Sequence, residues 1–417
     1  MSHVDAPRDL ELGAARRRLG FAGAGAAMAA VMLAAGAPGP LHPVYIEAGR
    51  VGTAGVTASY GAYLLAVTFA VLVLGRVSDV VGRRPAALAS LAGGAAACLV
   101  MLDVQSTQAL VMGRLVQGVA TGMAMTSIGA MVVDLRAPGR HQLASLVTSA
   151  TPTGAVALGA VASGVAISRI DVPDRTLYTA AIVLTAIAAV GILLAPETVR
   201  PPAAPTHRAR ELARNLRPTI TVPSSVRPLF AGAAAAYLAA WTLGGFYQSL
   251  GPSLAQSTFP SAGPVFWGLV VASMLGSTVL GGPLTSRLAP RAAGLCGLAT
   301  FVTGVVGVLL ALEWRSGAAF LAASVVAGIG FGASTSGSMR ALVARLGGES
   351  VAGTLAAIYL VSYTFASIPA FGGGLLIERH GFAAMMPWYA GLVILLAAAA
   401  AVVLVTTGRR DAAARQS

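Results

Sequence analysis

Residues Gly75 to Pro85 read GRVSDVVGRRP and form a short charged stretch between two long apolar runs. Tyr63 to Leu74 precede it and Ala86 to Leu102 follow it, so two membrane-crossing helices would leave only this turn in water. Its three arginines predict that it faces the cytoplasm, because cytoplasmic loops collect Lys and Arg. Asp79 lies between these arginines, which predicts a local ion pair.

The composition is that of a polytopic membrane protein. Of 417 residues, 56% are hydrophobic and only 10% are charged, and the mean hydropathy is +0.78. A soluble domain carries roughly 25% charged residues. The formal net charge of +13 rests on arginine alone among the basic side chains, and most of the arginines fall in segments predicted to face the cytoplasm. The basicity therefore sets topology, and nucleic acid is not expected as a partner.

Twelve apolar segments are long enough to cross about 30 Å of hydrocarbon, which takes about 20 helical residues. They cover residues 19–46, 57–76, 85–102, 108–133, 142–168, 176–196, 228–250, 264–286, 291–312, 316–339, 351–377 and 383–407. The predicted fold class is an all-α polytopic membrane protein with twelve transmembrane helices in two pseudo-symmetric six-helix bundles. The predicted domains are a cytoplasmic tail 1–17, a first bundle 18–196, a cytoplasmic linker 197–227, a second bundle 228–407 and a cytoplasmic tail 408–417.

Two polar stretches need separate interpretation. Residues 1–17 are expected to be disordered or to lie on the surface, and Arg16 to Arg18 precede an uncleaved first helix rather than a secretory signal. The linker is rich in Pro and Arg. It is either a flexible tether or forms a short amphipathic helix over Arg208 to Leu216 on the membrane surface.

The two halves carry a weak internal repeat. GPLTSRLAPRA, which begins at Gly282, occupies the position of the Gly75–Pro85 turn in the second half. GVATG at Gly118–Gly122 in span four matches GIGFG at Gly328–Gly332 in span ten. Parallel repeats of this kind place a substrate path between the halves, near the bilayer midplane.

Twelve spans in two halves, with a G-x-x-x-D-[RK]-x-G-[RK]-[RK] turn between spans two and three, resemble the major facilitator superfamily of secondary transporters. The residues that carry the turn are Gly75, Asp79, Gly82, Arg83 and Arg84. Val80 departs from the pattern, where a basic residue is usual. The resemblance extends from about Leu19 to Thr407.

The resemblance implies that the turn is a gate. Asp134 ends span four on the same side and is implied to pair with Arg83 or Arg84. Asp79 is implied to lie near the start of span eleven, at about Val351, and to hold the halves together when the cavity opens outward. The residues alone also allow solvated charges that only set topology.

Span four contains MGRLVQGVATG, which resembles the R-x-x-Q-G-x-x-x-G pattern of the drug–proton antiporter branches. Arg114 lies inside the span, where a guanidinium costs on the order of 2.5–3.5 kcal/mol and is expected to face a wet cavity or a partner. Gln117 follows one turn later, and Gly118 and Gly122 are expected to pack helices. The alternative is an arginine that snorkels and only anchors the helix.

Span five contains TPTGAVALGAVASG, with Gly154, Gly159 and Gly164. Exporters of this superfamily carry a glycine-rich stretch in span five with an internal proline. Here the spacing is five residues and Pro152 is the nearby proline. The stretch is either a diverged exporter signature or ordinary small-residue helix packing.

Polar and aromatic stripes at helical spacing supply the candidates for a substrate cavity. They are Tyr237, Trp241 and Gln248 in span seven, Tyr359, Ser362 and Tyr363 in span eleven, Ser334, Thr335 and Ser338 in span ten, and Thr148 and Thr151 in span five. The same stripes are compatible with a lipid-facing surface or an interfacial belt.

The first span ends in GAPGPLHPVYIEAG, and its three prolines predict a bent or broken helix. His42 and Glu47 lie there. His42 titrates near neutral pH when unperturbed and is a candidate for proton coupling or, alternatively, a structural residue. The middle of each span is free of Asp and Glu, which argues against a simple carboxylate relay.

The predicted function is a secondary active transporter of small, amphipathic molecules in the cell membrane, with both termini cytoplasmic and proton-coupled efflux implied by the resemblance. Uptake of a metabolite by the same fold is the alternative, and a membrane-embedded enzyme or sensor is a third hypothesis. No GxxxxGK[ST] motif is present, and Cys98 and Cys296 lie in apolar runs without disulfide or metal spacing. A monomer without a cofactor is expected, with the substrate, a coupling proton and the bilayer as partners.

Overall fold

A computed structural model describes residues 6–137, 139–199, 205–216, 220–346 and 348–413. The regular structure in these ranges is helical, with turns and short irregular segments between the helices. The helices of the first half are α1 Ala6–Gly36, α2 Pro38–Glu47, α3 Thr53–Phe69, α4 Val77–Val81, α5 Arg83–Met101, α6 Thr107–Leu135, α7 His141–Arg169 and α8 Pro173–Leu194. The linker forms α9 Pro205–Asn215, and the second half contains α10 Arg227–Ser249, α11 Gly251–Thr258, α12 Gly263–Leu284, α13 Pro290–Glu313, α14 Gly317–Val343 and α15 Gly348–Ala413.

Within the described ranges, eleven helical segments are long and apolar enough to cross a membrane. The last, Gly353–Gly408, has 56 residues, and a straight helix of that length would reach about 84 Å, far beyond one bilayer. It bends at Gly381, where φ is +78°, a conformation that suits glycine. The chain reverses there, so the predicted spans eleven and twelve are two arms of one assigned helix.

The lateral surface is apolar. Large side chains such as Leu158, Ile187 and Leu395 are more than 60% exposed, which water would not tolerate over so much of a surface. All the regular structure consists of helices, which satisfy their own backbone hydrogen bonds in lipid. The fold is therefore that of an all-α polytopic membrane protein, as predicted.

The first span is broken between α1 and α2, as its prolines predict. Pro38 has no N–H to donate to the carbonyl of Ala34, so that carbonyl needs another donor. Residues 6–17, expected from sequence to be disordered or to lie on the surface, are the start of helix α1, while residues 1–5 lie outside the described part of the chain. Within the linker, Pro205–Asn215 form α9, which packs against α4.

Among the described residues, three pairs of helices make the largest contacts between the two halves. α3 packs against α15, α7 against α12, and the short α2 against α11. We call the end of the bundle that carries Gly75–Pro85 the turn side, and the opposite end, which carries Glu47, Asp103 and Gly381, the far side.

The repeated glycine motifs have the same packing role in each half. A Cβ at Gly122 of α6 would lie 2.8 Å from the carbonyl oxygen of Val67 in α3. A Cβ at Gly332 of α14 would lie 2.0 Å from the carbonyl oxygen of Thr278 in α12. Each motif therefore lets the fourth long helix of its half touch the backbone of the second.

Candidate functional site

A cavity of about 420 Å³ lies between the two halves. Its walls come from both: Met32, Tyr63, Thr121, Thr148 and Thr153 from the first, and Tyr237, Trp241, Gln248, Thr278, Phe331, Thr335, Arg340, Tyr359 and Tyr363 from the second. The lining extends to residues near the turn-side ends of their helices, such as Ser149, Pro283 and Arg340. The cavity thus runs from the middle of the bundle toward the turn side.

Aromatic rings form the wall contributed by the second half. Trp241 contacts Phe331 and Tyr363 edge to face, with ring centroids 5.4 and 4.9 Å apart. Tyr237 meets Tyr359 in the same way at 6.4 Å. Edge-to-face packing holds these rings in fixed orientations and ties α10 to α14 and α15.

Hydrogen bonds across the halves close the far side of the cavity. The amide of Gln248 donates to the hydroxyl of Tyr60 at 3.0 Å, and Nδ1 of His42 lies 3.0 Å from the carbonyl oxygen of Ser249. Because a carbonyl only accepts, Nδ1 is the donor. His42 and Ser249 are fully buried, so water does not reach this contact.

Two carboxylates complete the closure nearer the far-side surface. Glu47 of α2 accepts a hydrogen bond from the amide of Gln256 in α11 at 3.1 Å. Glu378 of α15 accepts the backbone N–H of Ala54 at 2.7 Å, at the N-terminus of α3, where negative charge is favoured. Each contact joins one half to the other, so each must break when the far side opens.

Arg114 and Gln117 fasten α6 to the break in the first span. Arg114 is 1% exposed and donates to the carbonyl of Ala35 at 3.3 Å and to the side-chain oxygen of Gln117 at 2.6 Å. Gln117 in turn donates to the carbonyl of Ala34 at 3.0 Å, the acceptor that Pro38 leaves free.

The guanidinium of Arg114 also lies 4.4 Å from the ring centroid of Tyr63, which lines the cavity. Arg114 and Gln117 themselves stand behind the cavity wall. Their contacts are those of a buried partner network and differ from those of a snorkelling anchor.

The charged residues of the Gly75–Pro85 turn form ion pairs and hydrogen bonds with other residues of the first half. Arg83 pairs with Asp79 at 2.5 Å and with Asp134 at 3.4 Å. Glu197, which follows α8, accepts the backbone N–H groups of Arg83 and Arg84 at 2.8 and 3.0 Å and so caps α5. Gly82 allows this cap because its φ is +105°.

The resemblance implied that Arg83 or Arg84 pairs with Asp134, and Arg83 is the one that does so. The side chain of Arg84 donates to the carbonyl of Leu193 rather than to Asp134. Asp79 pairs with Arg83, and its helix α4 packs on the linker helix α9. The implied approach of Asp79 to the start of α15 stays a prediction.

In the second half the charge on the fourth long helix is positive, whereas Asp134 at the corresponding end of the first half is negative. Arg340, near the end of α14, donates to the carbonyls of Thr285, Ser286 and Leu288 in the turn that copies Gly75–Pro85. These carbonyls follow the C-terminus of α12, where a cation is favoured. An arginine on the fourth long helix therefore replaces the aspartate found at Asp134.

The glycines of α7 face different partners because five residues turn a helix by about 140° from the previous glycine. A Cβ at Gly159 would lie 2.0 Å from the carbonyl oxygen of Leu33 in the same half. A Cβ at Gly164 would lie 2.5 Å from the carbonyl oxygen of Pro264 in α12. Gly154 is looser, at 3.9 Å from Val279. Because of the five-residue spacing, Gly159 packs against a helix of its own half and Gly164 packs against a helix of the other half.

Most of the predicted cavity residues line the cavity, but some do not. Tyr237, Trp241, Gln248, Thr335, Tyr359, Tyr363 and Thr148 line it. Ser334, Ser338 and Ser362 are buried and are not among the lining residues, and neither is Thr151. His42 belongs to the far-side closure instead.

Sequence reasoning missed several residues of the site. Tyr60 and Tyr63 were detectable as an aromatic pair at helical spacing in span two. Glu197, Glu378 and Arg340 carried no local signal, because each acts on a helix end that is distant in sequence.

Two helical halves around a central cavity, sealed at one end by contacts between the halves, define a membrane transporter rather than an enzyme. The model of the Major Facilitator Superfamily matches residues 19–371, and the chain belongs to that family.

A solved structure with the same fold is the crystal structure of the human organic anion transporter MFSD10 (TETRAN). The two share 17% sequence identity with a TM-score of 0.56, over 92% of this chain and 99% of the other. At that identity the likeness shows the fold alone. No curated protein matches the chain.

Proposed function

We propose that the protein exports small, amphipathic molecules from the cytoplasm across the cell membrane by alternating access, with proton entry driving the cycle. The observation that carries this proposal is the central cavity, which reaches toward the turn side while hydrogen bonds between the halves seal the far side. Arginine accumulation assigns the turn side to the cytoplasm. The conformation is then the one that loads substrate from inside the cell.

The cavity chemistry supports an amphipathic substrate. Rings such as Trp241 and Tyr363 offer apolar contact, while hydroxyls such as Thr121 and Thr278 offer single hydrogen bonds. Sites for small molecules combine these two features.

Proton coupling is assigned to the far-side closure. His42 is titratable, and its ring contacts Ser249 in the other half. Opening of the far side would expose the buried His42, which could then take up the coupling proton. The cycle would thereby link proton binding to the opening of the far side.

The turn supplies the opposite gate in this proposal. When the turn side closes, Asp79 moves to the N-terminus of α15, where the helix dipole favours a carboxylate. Arg83 and Asp134 keep α4 and α5 attached to α6 throughout the cycle.

Export is tested with cells that carry or lack the gene. Accumulation of phenylnaphthylamine, a neutral amphipathic dye, is expected to be lower in cells with the gene, and a protonophore is expected to remove the difference. Equal accumulation in both strains would contradict transport of this class of molecule. Higher accumulation with the gene would contradict export and favour uptake.

Trp241→Ala is expected to weaken binding of phenylnaphthylamine to the purified protein by about fivefold, since one aromatic contact contributes about 1 kcal/mol. Trp388→Ala is the matched control, because Trp388 is 82% exposed on the lateral surface. Titration of the dye against both variants measures the effect. An equal affinity in the two variants would contradict the assignment of Trp241 to the site.

A further inference from the structure

The charge of the cavity has a single sign. Among the described residues that line it, Arg340 is the only one with a formal charge, and the lining contains neither Asp nor Glu. Within the described part of the chain, Arg340 forms no ion pair with a carboxylate; its hydrogen bonds go to backbone carbonyls. Its positive charge is therefore only partly offset, by helix-terminal dipoles.

The guanidinium of Arg340 keeps hydrogen-bonding capacity. Nη1 donates to Ser286 and Leu288, and Nη2 donates to Thr285. Nε has no hydrogen-bond partner in the described structure, but that atom is buried; Nη2 carries a second N–H. The second N–H of Nη2 can therefore give one charge-assisted hydrogen bond to a carboxylate.

Arg114 supplies a second guanidinium without a carboxylate partner among the described residues, and it lies behind the cavity wall. Arg114 is buried, and its hydrogen-bond acceptors are a carbonyl and an amide oxygen. It lies 4.4 Å from the ring centroid of Tyr63, a lining residue. Both arginines therefore raise the electrostatic potential of a cavity with low-dielectric walls.

The aromatic rings would by themselves attract cations. That attraction is opposed here, because a full positive charge acts over a longer range than a ring quadrupole. The Tyr63 ring, moreover, already has a cationic neighbour in Arg114.

From this geometry we infer that the cavity selects amphipathic monoanions, aromatic carboxylates in particular, with the acid group at Arg340 and the apolar body against Trp241 and Tyr363. Neutral molecules of the same shape bind more weakly, and organic cations are rejected. This inference rests on the proposed function, since it names the substrate class of the same cavity.

Three probes of one shape and different charge test the inference: naphthoate, naphthylmethanol and naphthylmethylammonium. Their affinities for the purified full-length protein are measured by calorimetry. Naphthoate is expected to bind about tenfold more tightly than naphthylmethanol, the gain of one charge-assisted contact, and the ammonium probe is expected to bind most weakly.

Arg340→Gln is expected to make naphthoate bind no more tightly than naphthylmethanol, while naphthylmethanol binds as in the wild type. Arg340→Lys keeps the charge and is expected to retain most of the preference. Naphthylmethanol binding reports whether each variant is folded, and the order of the three probes on the wild type stands without any variant.

Equal affinities for the carboxylate and the ammonium probe would overturn the inference but leave the proposed function standing. The same holds if Arg340→Gln keeps the preference. Binding of none of the three probes would contradict the proposed cavity as well.

Discussion

Gly164→Val is expected to fold and insert normally but to lose the far-side-closed conformation. The added Cβ would lie 2.5 Å from the carbonyl oxygen of Pro264, on the other half of the protein. A backbone atom at that distance cannot yield as a flexible side chain would, and overpacking of this kind costs about 1–3 kcal/mol. This free-energy cost destabilises only the far-side-closed conformation, in which the far-side ends of α7 and α12 are in contact.

Gly159→Val is the matched control, because it makes the same change five residues earlier in the same helix. Its Cβ would lie 2.0 Å from the carbonyl oxygen of Leu33, within the first half. That contact persists in both conformations if the halves move as rigid bodies. Gly159→Val is therefore expected to lower the yield and the thermal stability of the protein.

A cysteine at Ser249 measures the state of the far side in the Gly164→Val variant. Ser249 is fully buried at the closure, and His42 contacts only its backbone. With Cys98 and Cys296 replaced by alanine, an impermeant maleimide added from the far side is expected to label this cysteine faster than in the parent protein. An unchanged labelling rate would contradict the role assigned to Gly164.

Asp79→Asn is expected to slow transport strongly without changing the thermal stability. In the present conformation Asp79 forms an ion pair with Arg83 but is 46% exposed, and such surface pairs contribute only about 0–1 kcal/mol. In the proposed turn-side-closed state the carboxylate would meet the N-terminus of α15, and a loss of about 1–2 kcal/mol there would lower the population of that state about 5–30-fold.

Asp103→Asn provides the control for Asp79→Asn. Asp103 also forms an exposed ion pair, with Arg175 at 3.5 Å, but both residues belong to the first half on the far side. Its loss is expected to leave efflux of phenylnaphthylamine unchanged. If both variants transport at the wild-type rate, the gate assigned to Asp79 is wrong.

The architecture was largely predictable from sequence. The twelve spans and the break at Pro38 follow from apolar length and proline chemistry. The contact of Asp134 with Arg83 is one of the two pairings that the family resemblance implied. The family resemblance drawn from Gly75–Pro85 is confirmed by the family match.

The site was predictable only in part, because its key contacts join residues far apart in the chain. Glu197 and Glu378 cap helices to which they are not adjacent, so periodicity within one span gives no sign of them. Ser334 shows the converse failure. It has the same polarity as its neighbour Thr335, but the neighbour lines the cavity and Ser334 is 1% exposed, with its hydroxyl bonded to its own helix.

The central claim is that the two halves move against each other and that the Glu47–Gln256 contact marks the closed far side. Cysteines at positions 47 and 256, joined by a short bifunctional thiol reagent, lock this contact between halves. Cysteines at positions 103 and 175, joined in the same way, lock a far-side contact within one half.

Crosslinking of the first pair is expected to abolish efflux of phenylnaphthylamine, and reductive cleavage of the crosslink to restore it. Crosslinking of the second pair is expected to leave efflux unchanged. Full efflux by protein crosslinked between positions 47 and 256 would contradict alternating access by movement of the two halves.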